Sequence, residues 1–301
     1  MTMNRTLKRD ITDEQMRAYE EDGVVLIRGA LDEEWVKRVR EAMERCYENP
    51  TPWGQNVNAA GTPGRMLFDI YMWTQSPDLR ALAFESPLPQ IVATFMRSKT
   101  VNLLWDFHIL KEPHSDYPTD WHHDQPADPC NGWQACGTWV PFDDVTLESG
   151  ALEYIKGSHK WNRWFDIPGS TVREGDTYFK GYTGEEPPPP GTHDHFESML
   201  DFESLRDQHE IVHFDTEPGD CLIHQLMMMH YAPGNTTDRR RRTIGHKFVG
   251  DDATYAVREG PFRVLPPWDP ELKSGDRFPE GDHSVYPRVW PRITKNAKAA
   301  E

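Results

Sequence analysis

The feature that most constrains the fold is a change of rhythm after Lys99. From there on, short runs of β-type residues alternate with Gly, Pro, Asn and Asp turns. The runs are Val101–Leu110, Ala135–Phe142, Gly150–Tyr154, Glu210–Phe214, Asp220–Gln225 and Arg242–Val249. Many short strands of this kind close into a barrel or pack as two facing sheets. Upstream the pattern is helical. Thr12, with Gln15 three residues on, predicts a capped helix that stops near Gly23. A short strand is expected over Val24–Arg28. An amphipathic helix is expected over Leu31–Tyr47, with Leu31, Trp35, Val36, Val39, Met43 and Cys46 on one face, and a further helical stretch over Pro77–Arg97. The expected class is mainly β with flanking α.

The 301 residues are read as a single domain in three parts. Residues 1–98 form a mainly helical flank, 99–250 the β core, and 251–301 a C-terminal wrap without regular structure. Residues 166–209 interrupt the core with four consecutive prolines (Pro187–Pro190) and the triplet His193-Asp194-His195. Such a long insertion is either an active-site lid or a solvent loop.

The formal net charge is −16, which repels phosphate backbones and argues against nucleic-acid partners. No stretch approaches the roughly 20 apolar residues of a membrane span, and Met1–Asp10 lacks the apolar core of a secretion signal. Cys46, Cys130, Cys136 and Cys221 are scattered and read as reduced thiols, so a cytoplasmic protein is expected. Oligomeric state is not readable.

Thirteen histidines require selection by position. In Trp121-His122-His123-Asp124, His122 and Asp124 are two apart, so on a strand both point to one side while His123 points away. After the Pro218-Gly219 turn, His224 and His230 are both candidates for a third ligand. Two His and one carboxylate on one face of an ion leave positions open for exogenous ligands, an arrangement typical of non-haem iron. Spacing alone does not exclude zinc, manganese or nickel. Further on, Arg239–Arg242 is either a solvated basic patch or the source of one inward arginine able to grip a carboxylate at two points.

Together these blocks resemble the phytanoyl-CoA dioxygenase (PhyH) family of iron- and 2-oxoglutarate-dependent oxygenases. The resemblance runs from about residue 12 to 290. It rests on Trp121–Asp124, on Thr138–Asp144 with Glu148–Leu152 and Lys156–His159, and on Pro218-Gly219-Asp220, His224, His230, Pro233-Gly234-Asn235 and Arg241-Arg242. Tyr19–Val25 is similar to the family's opening. The resemblance implies a double-stranded β-helix (jelly-roll, cupin-like) core with N-terminal helices. It implies that His122, Asp124 and His230 are the catalytic Fe(II) ligands and that Arg241 holds the distal carboxylate of 2-oxoglutarate. It also places Trp139 and Lys111 near that co-substrate. One departure is Ala232, where many relatives carry a small hydroxyl residue; that contact must come from elsewhere.

The implied reaction consumes O₂, converts 2-oxoglutarate to succinate and CO₂, and hydroxylates a C–H bond. Asp124 argues against halogenation, which needs a small residue at that position. Desaturation and ring closure by the same cofactors stay open. A non-enzymatic cupin-like binding protein and a zinc hydrolase are the rivals from other classes. The acidic surface slightly disfavours a polyanionic thioester, leaving a small polar metabolite or natural-product intermediate as the expected substrate. His159 is expected to be structural, His224 to sit in the core or beside a ligand, and Met227–Met229 to fill a strand.

Overall fold

The computed structural model describes residues 3–56, 64–166, 197–257 and 268–292. Helix α1 (Asp13–Asp22) starts on the Thr12/Gln15 capping box and ends at Gly23, whose φ of 86° is left-handed. Strand β1 (Val24–Ile27) follows, then α2 (Glu33–Glu48), capped by the Asp32 carboxylate on the Trp35 N–H. Pro77–Arg97 is two helices rather than one: α3 (Pro77–Glu85) and α4 (Leu88–Phe95). The break is local chemistry. Ser86 Oγ bonds back to the Leu82 carbonyl, and Pro87 has no N–H with which to continue the helix.

The N-terminal part is more than a flank, because it also supplies strands. β1 joins the sheet, as do β2 (Gln55–Asn56) and β3 (Met66–Ile70). The core strands are β4 (Val101–Lys111), β5 (Thr119–His122), β6 (Cys130–Asn131), β7 (Ala135–Pro141), β8 (Glu153–Ile155), β9 (Ile211–His213), β10 (Cys221–Gln225), β11 (His230–Ala232), β12 (Arg241–Val249), β13 (Thr254–Tyr255) and β14 (Arg288–Trp290). The tail is therefore not wholly irregular, since β14 pairs with β4. Met227–Met229 lie in the turn between β10 and β11 rather than in a strand, though all three are buried.

The large sheet runs β1-β10-β7-β12-β4-β3-β2, and the small one β5-β11-β8-β9. Among the described residues the named strands all pair antiparallel, and the fold is the double-stranded β-helix. Strand alternation gives the large sheet two different faces. One face carries Val25, Ile27, Val140, Ile223, Ile244 and Phe248 and packs under Trp35, Val39 and Met43 of α2 and Ile91 and Val92 of α4. Burying each such side chain stabilises the fold by about 1.5–3 kcal/mol. The other face carries Lys111, Trp139, His224, Arg241 and Lys247, all 2% exposed or less.

Most of the 166–209 insertion, with Pro187–Pro190 and His193–His195, lies outside the described residues. Its end is described: Phe202 packs with Trp121, Ile155, Phe165 and Met229 on the small sheet. All four cysteines are free and buried. Among the described residues no helix is long and apolar enough to cross a membrane.

Candidate metal centre

The small sheet sets three side chains in a row. His230 of β11 lies opposite His122 of β5 on one side and opposite Tyr154 of β8 on the other. The His122 and His230 rings have centroids 4.2 Å apart. Each imidazole is oriented by its own backbone. His122 Nδ1 lies 2.7 Å from the Asp120 carbonyl oxygen and His230 Nδ1 2.9 Å from that of Met228. A carbonyl only accepts, so both Nδ1 atoms are protonated and both Nε2 lone pairs are free.

Asp124 reaches the same point from a turn. β5 ends at His122, so the i, i+2 strand argument does not apply at Asp124 as it stands. The N–H groups of Asp124 and Gln125 instead both donate to the Leu226 carbonyl, which pins the turn to the β10–β11 connection. His123 turns away, as expected, and accepts from the Phe165 N–H. The Asp124 carboxylate lies 3.7 Å from His122 Nε2 through Oδ1 and 3.9 Å from His230 Nε2 through Oδ2. One ligand atom from each of the three residues falls within 4.8 Å of the others. Two neutral imidazoles and a carboxylate, converging through lone pairs, fit a divalent ion.

The electrostatics agree with that donor set. Burial lowers the pKa of His122, and it lowers His230 further, with His122 adding to the effect. Both rings are thus neutral. Burial alone would raise Asp124, but the Lys247 charge and the hydrogen bond from His224 hold it well below the usual carboxylate range. Lys247 pairs directly with Asp124 Oδ2, and His224 Nε2 lies 3.3 Å from the same oxygen.

Farther along the same face of β12 sits a second charged group. Arg241 is 1% exposed and lies directly across the ladder from Lys111, which is fully buried. Arg241 donates to the Gly150 carbonyl (2.8 Å) and to Thr243 Oγ1 (3.2 Å), while its Nε has no partner among the described residues. Gly150 turns this carbonyl toward the guanidinium through a φ of 94°, which a side chain would strain. The guanidinium carbon is 5.4 Å from the Trp139 ring centre, and Trp139 Nε1 is also without a partner. Lys111 Nζ donates to the Pro233 carbonyl at 2.6 Å. Burial depresses both cations: Arg241 to about 10, against the pull of Tyr47 and Asp143, and Lys111 well below its ordinary value, with Arg241 contributing. Among the described residues no carboxylate forms an ion pair with either.

The profile of the phytanoyl-CoA dioxygenase (PhyH) family matches residues 19–243. The chain belongs to this family. With membership come the family's cofactors, iron and 2-oxoglutarate. Solved structures agree on the fold. The carbocyclase SnoK from nogalamycin biosynthesis, α-ketoglutarate dependent, is 24% identical over 93% of this chain and 97% of its own, with a TM-score of 0.68. The epimerase SnoN, solved with Fe³⁺, α-ketoglutarate and nogalamycin RO, is 20% identical over 92% and 98%, with a TM-score of 0.69. EctD from S. alaskensis, solved with bound Fe, is 19% identical over 86% and 82%, with a TM-score of 0.61.

For a phytanoyl-CoA dioxygenase family chain, the six expected site residues fall into two groups. His122, Asp124 and His230 converge at one point, and Arg241, Lys111 and Trp139 cluster at another. Of the four arginines, Arg241 alone is buried. Arg239 is exposed, Arg240 pairs with Glu112 and Glu44, and Arg242 pairs with Asp143 and Glu44. Ala232 carries no hydroxyl; near the guanidinium a hydroxyl is present on Thr243, which accepts from Arg241 Nη1 at 3.2 Å. His159 is buried, its Nε2 lying 3.3 Å from the Glu20 carbonyl oxygen. Sequence reasoning missed Lys247 and Tyr154. An inward parity count from Arg241 along β12 would have found Lys247; Tyr154 depends on the β8–β11 register, which no local motif encodes.

Proposed function

We propose that this chain is an Fe(II)/2-oxoglutarate-dependent dioxygenase that hydroxylates a C–H bond of a small polar metabolite or natural-product intermediate. In this reading His122, Asp124 and His230 hold the iron, and Arg241 grips the distal carboxylate of 2-oxoglutarate, with Lys111 beside it and Trp139 as a wall. The observation that carries the proposal is the pair of buried cations facing each other across β12 and β4. Two cations removed from water cost several kcal/mol of folding free energy unless an anion compensates. A dicarboxylic acid would satisfy the free donors of Arg241 and Lys111 at one end.

Iron and 2-oxoglutarate, when bound, supply the oxidation of a C–H bond by O₂ with release of succinate and CO₂. The chain's own residues supply the geometry. Arg241, Thr243, Gly245 and Lys247 share one face of β12, so the anion anchor and the metal site are joined by one strand over about 20 Å, a span the two long side chains shorten from both ends. Trp139 and Phe107 wall this face with apolar surface that excludes water, keeping the charge interactions strong.

A second reading keeps the cofactors but ends in ring closure or epimerisation. The overall likeness to SnoK and SnoN favours it. Succinate release from 2-oxoglutarate with Fe(II), ascorbate and a panel of small metabolites tests the common core. Mass spectrometry of the product separates the outcomes: a gain of one oxygen atom for hydroxylation, a loss of two hydrogens for ring closure, and no change for epimerisation. No succinate under any condition would defeat the proposal in both forms.

A further inference from the structure

Asp124 is gripped unequally. Its Oδ2 meets two donors on different strands, Lys247 of β12 and His224 of β10. The tautomer of His224 follows from its surroundings. Its Nδ1 lies 3.2 Å from the Tyr154 hydroxyl, which can donate, and its Nε2 faces a carboxylate, which can only accept. His224 is therefore protonated on Nε2, and Tyr154 donates to Nδ1. A carboxylate oxygen has two lone pairs. Lys247 and His224 occupy both on Oδ2. Oδ1 instead faces the Nε2 of His122 at 3.7 Å, lone pair toward lone pair, an arrangement that calls for a cation between them.

The surroundings are built for this grip. Gly137 on β7 lies opposite both His224 and Lys247 in the ladder. A Cβ at Gly137 would stand 2.4 Å from His224 Nε2, so only glycine lets the ring reach Asp124. Lys247 is 1% exposed, its Nζ is 5.2 Å from the Phe107 ring centre, and Asp124 is the carboxylate with which it pairs. A buried lysine is costly unless its charge is used.

We propose that Lys247, with His224, holds Oδ2 of Asp124 away from the metal, so that the carboxylate ligates through Oδ1 alone. Lys247 is then a positioning residue for the metal's carboxylate ligand. The consequence is one of counting. An octahedral ion with two imidazoles and one carboxylate oxygen keeps three positions, two for a chelating keto acid and one more. A carboxylate binding through both oxygens would take the last. The inference rests on the reading of His122, Asp124 and His230 as the metal ligands.

The test uses the full chain loaded with Co(II), whose visible spectrum reports coordination number, and calorimetric titration with 2-oxoglutarate. Lys247→Met is expected to bind Co(II) but with a spectrum altered before any 2-oxoglutarate is added, and to bind 2-oxoglutarate at least tenfold more weakly. Lys247→Gln, which keeps a donor, is expected to recover part of both. His224→Phe is the second variant should Lys247→Met not fold, and it should move the spectrum in the same direction. A wild-type Co(II) spectrum in both Lys247→Met and His224→Phe would overturn the inference. His122→Ala separates this from the underlying reading. If that variant binds Co(II) as tightly as wild type, the metal site itself is misplaced.

Discussion

The two faces of the large sheet obey opposite rules. The face under the helices is mostly aliphatic and aromatic, with Ile244 and Phe248 packed on α2 and α4. The face toward the small sheet, built from the alternate residues of the same strands, buries Lys111, Arg241, Lys247 and His224. The helix side is where the chain gains stability, and the side toward the small sheet is where it gives some up. A strand such as β12 serves both because successive side chains point in opposite directions. Substitutions on the two faces should therefore separate stability from binding.

The largest effect belongs to the side toward the small sheet. Asp124→Ala is expected to lose detectable Fe(II) or Co(II) binding in equilibrium dialysis of its folded fraction, and to lose stability as well because buried Lys247 is left without its carboxylate; retention of metal would break the assignment. On the helix side, Phe248→Ala should cost about 3–5 kcal/mol in urea denaturation, with 2-oxoglutarate affinity of the folded fraction unchanged. Lys111→Met should do the reverse. It removes a buried charge, so stability should hold or rise, while 2-oxoglutarate affinity falls. A loss of stability without loss of affinity would erase the contrast.

The helix side also holds a group of buried polar residues, which sharpens the comparison through pH. Asp106, raised by burial to about 8, lies across the ladder from His246, and burial lowers both His108 and His246 to about 3. A carboxyl whose folded pKa is raised contributes stability below its unfolded value of 3.8 that is lost as pH climbs toward 8. Relative to wild type, Asp106→Asn should gain about 1.4 kcal/mol per pH unit across that window. The two histidines act oppositely: their stability is present above 6.5 and lost as pH falls toward 3. Denaturation at pH 5, 6.5 and 8 checks both, and parallel curves for wild type and Asp106→Asn would contradict the burial argument.

Much of this contrast was legible in the sequence, and what was not has a common cause. The HxD pair, the distal histidine and the capped first helix are local patterns, readable within a few residues. Alternation alone puts Arg239 and Arg241 on the same face of a strand, and the family resemblance is what singled out Arg241. The break at Ser86-Pro87 was overlooked although proline marked it. The strands within the first 98 residues, the grip of Lys247 on Asp124 and the row His122–His230–Tyr154 depend on partners distant in the chain. Register of that kind is decided by the assembled sheets, not by any one segment.

The central claim is that the buried cations on the face toward the small sheet exist to hold 2-oxoglutarate beside a metal. Anaerobic titration of the Fe(II)-loaded chain with 2-oxoglutarate, followed by the charge-transfer absorption of the chelate, tests it directly. The account predicts one equivalent bound by wild type, affinity weakened roughly 30-fold or more in Arg241→Ala, corresponding to about 2 kcal/mol, and little change in exposed Arg239→Ala. Equal affinity in wild type and Arg241→Ala, or no chelate absorption in wild type, would contradict it.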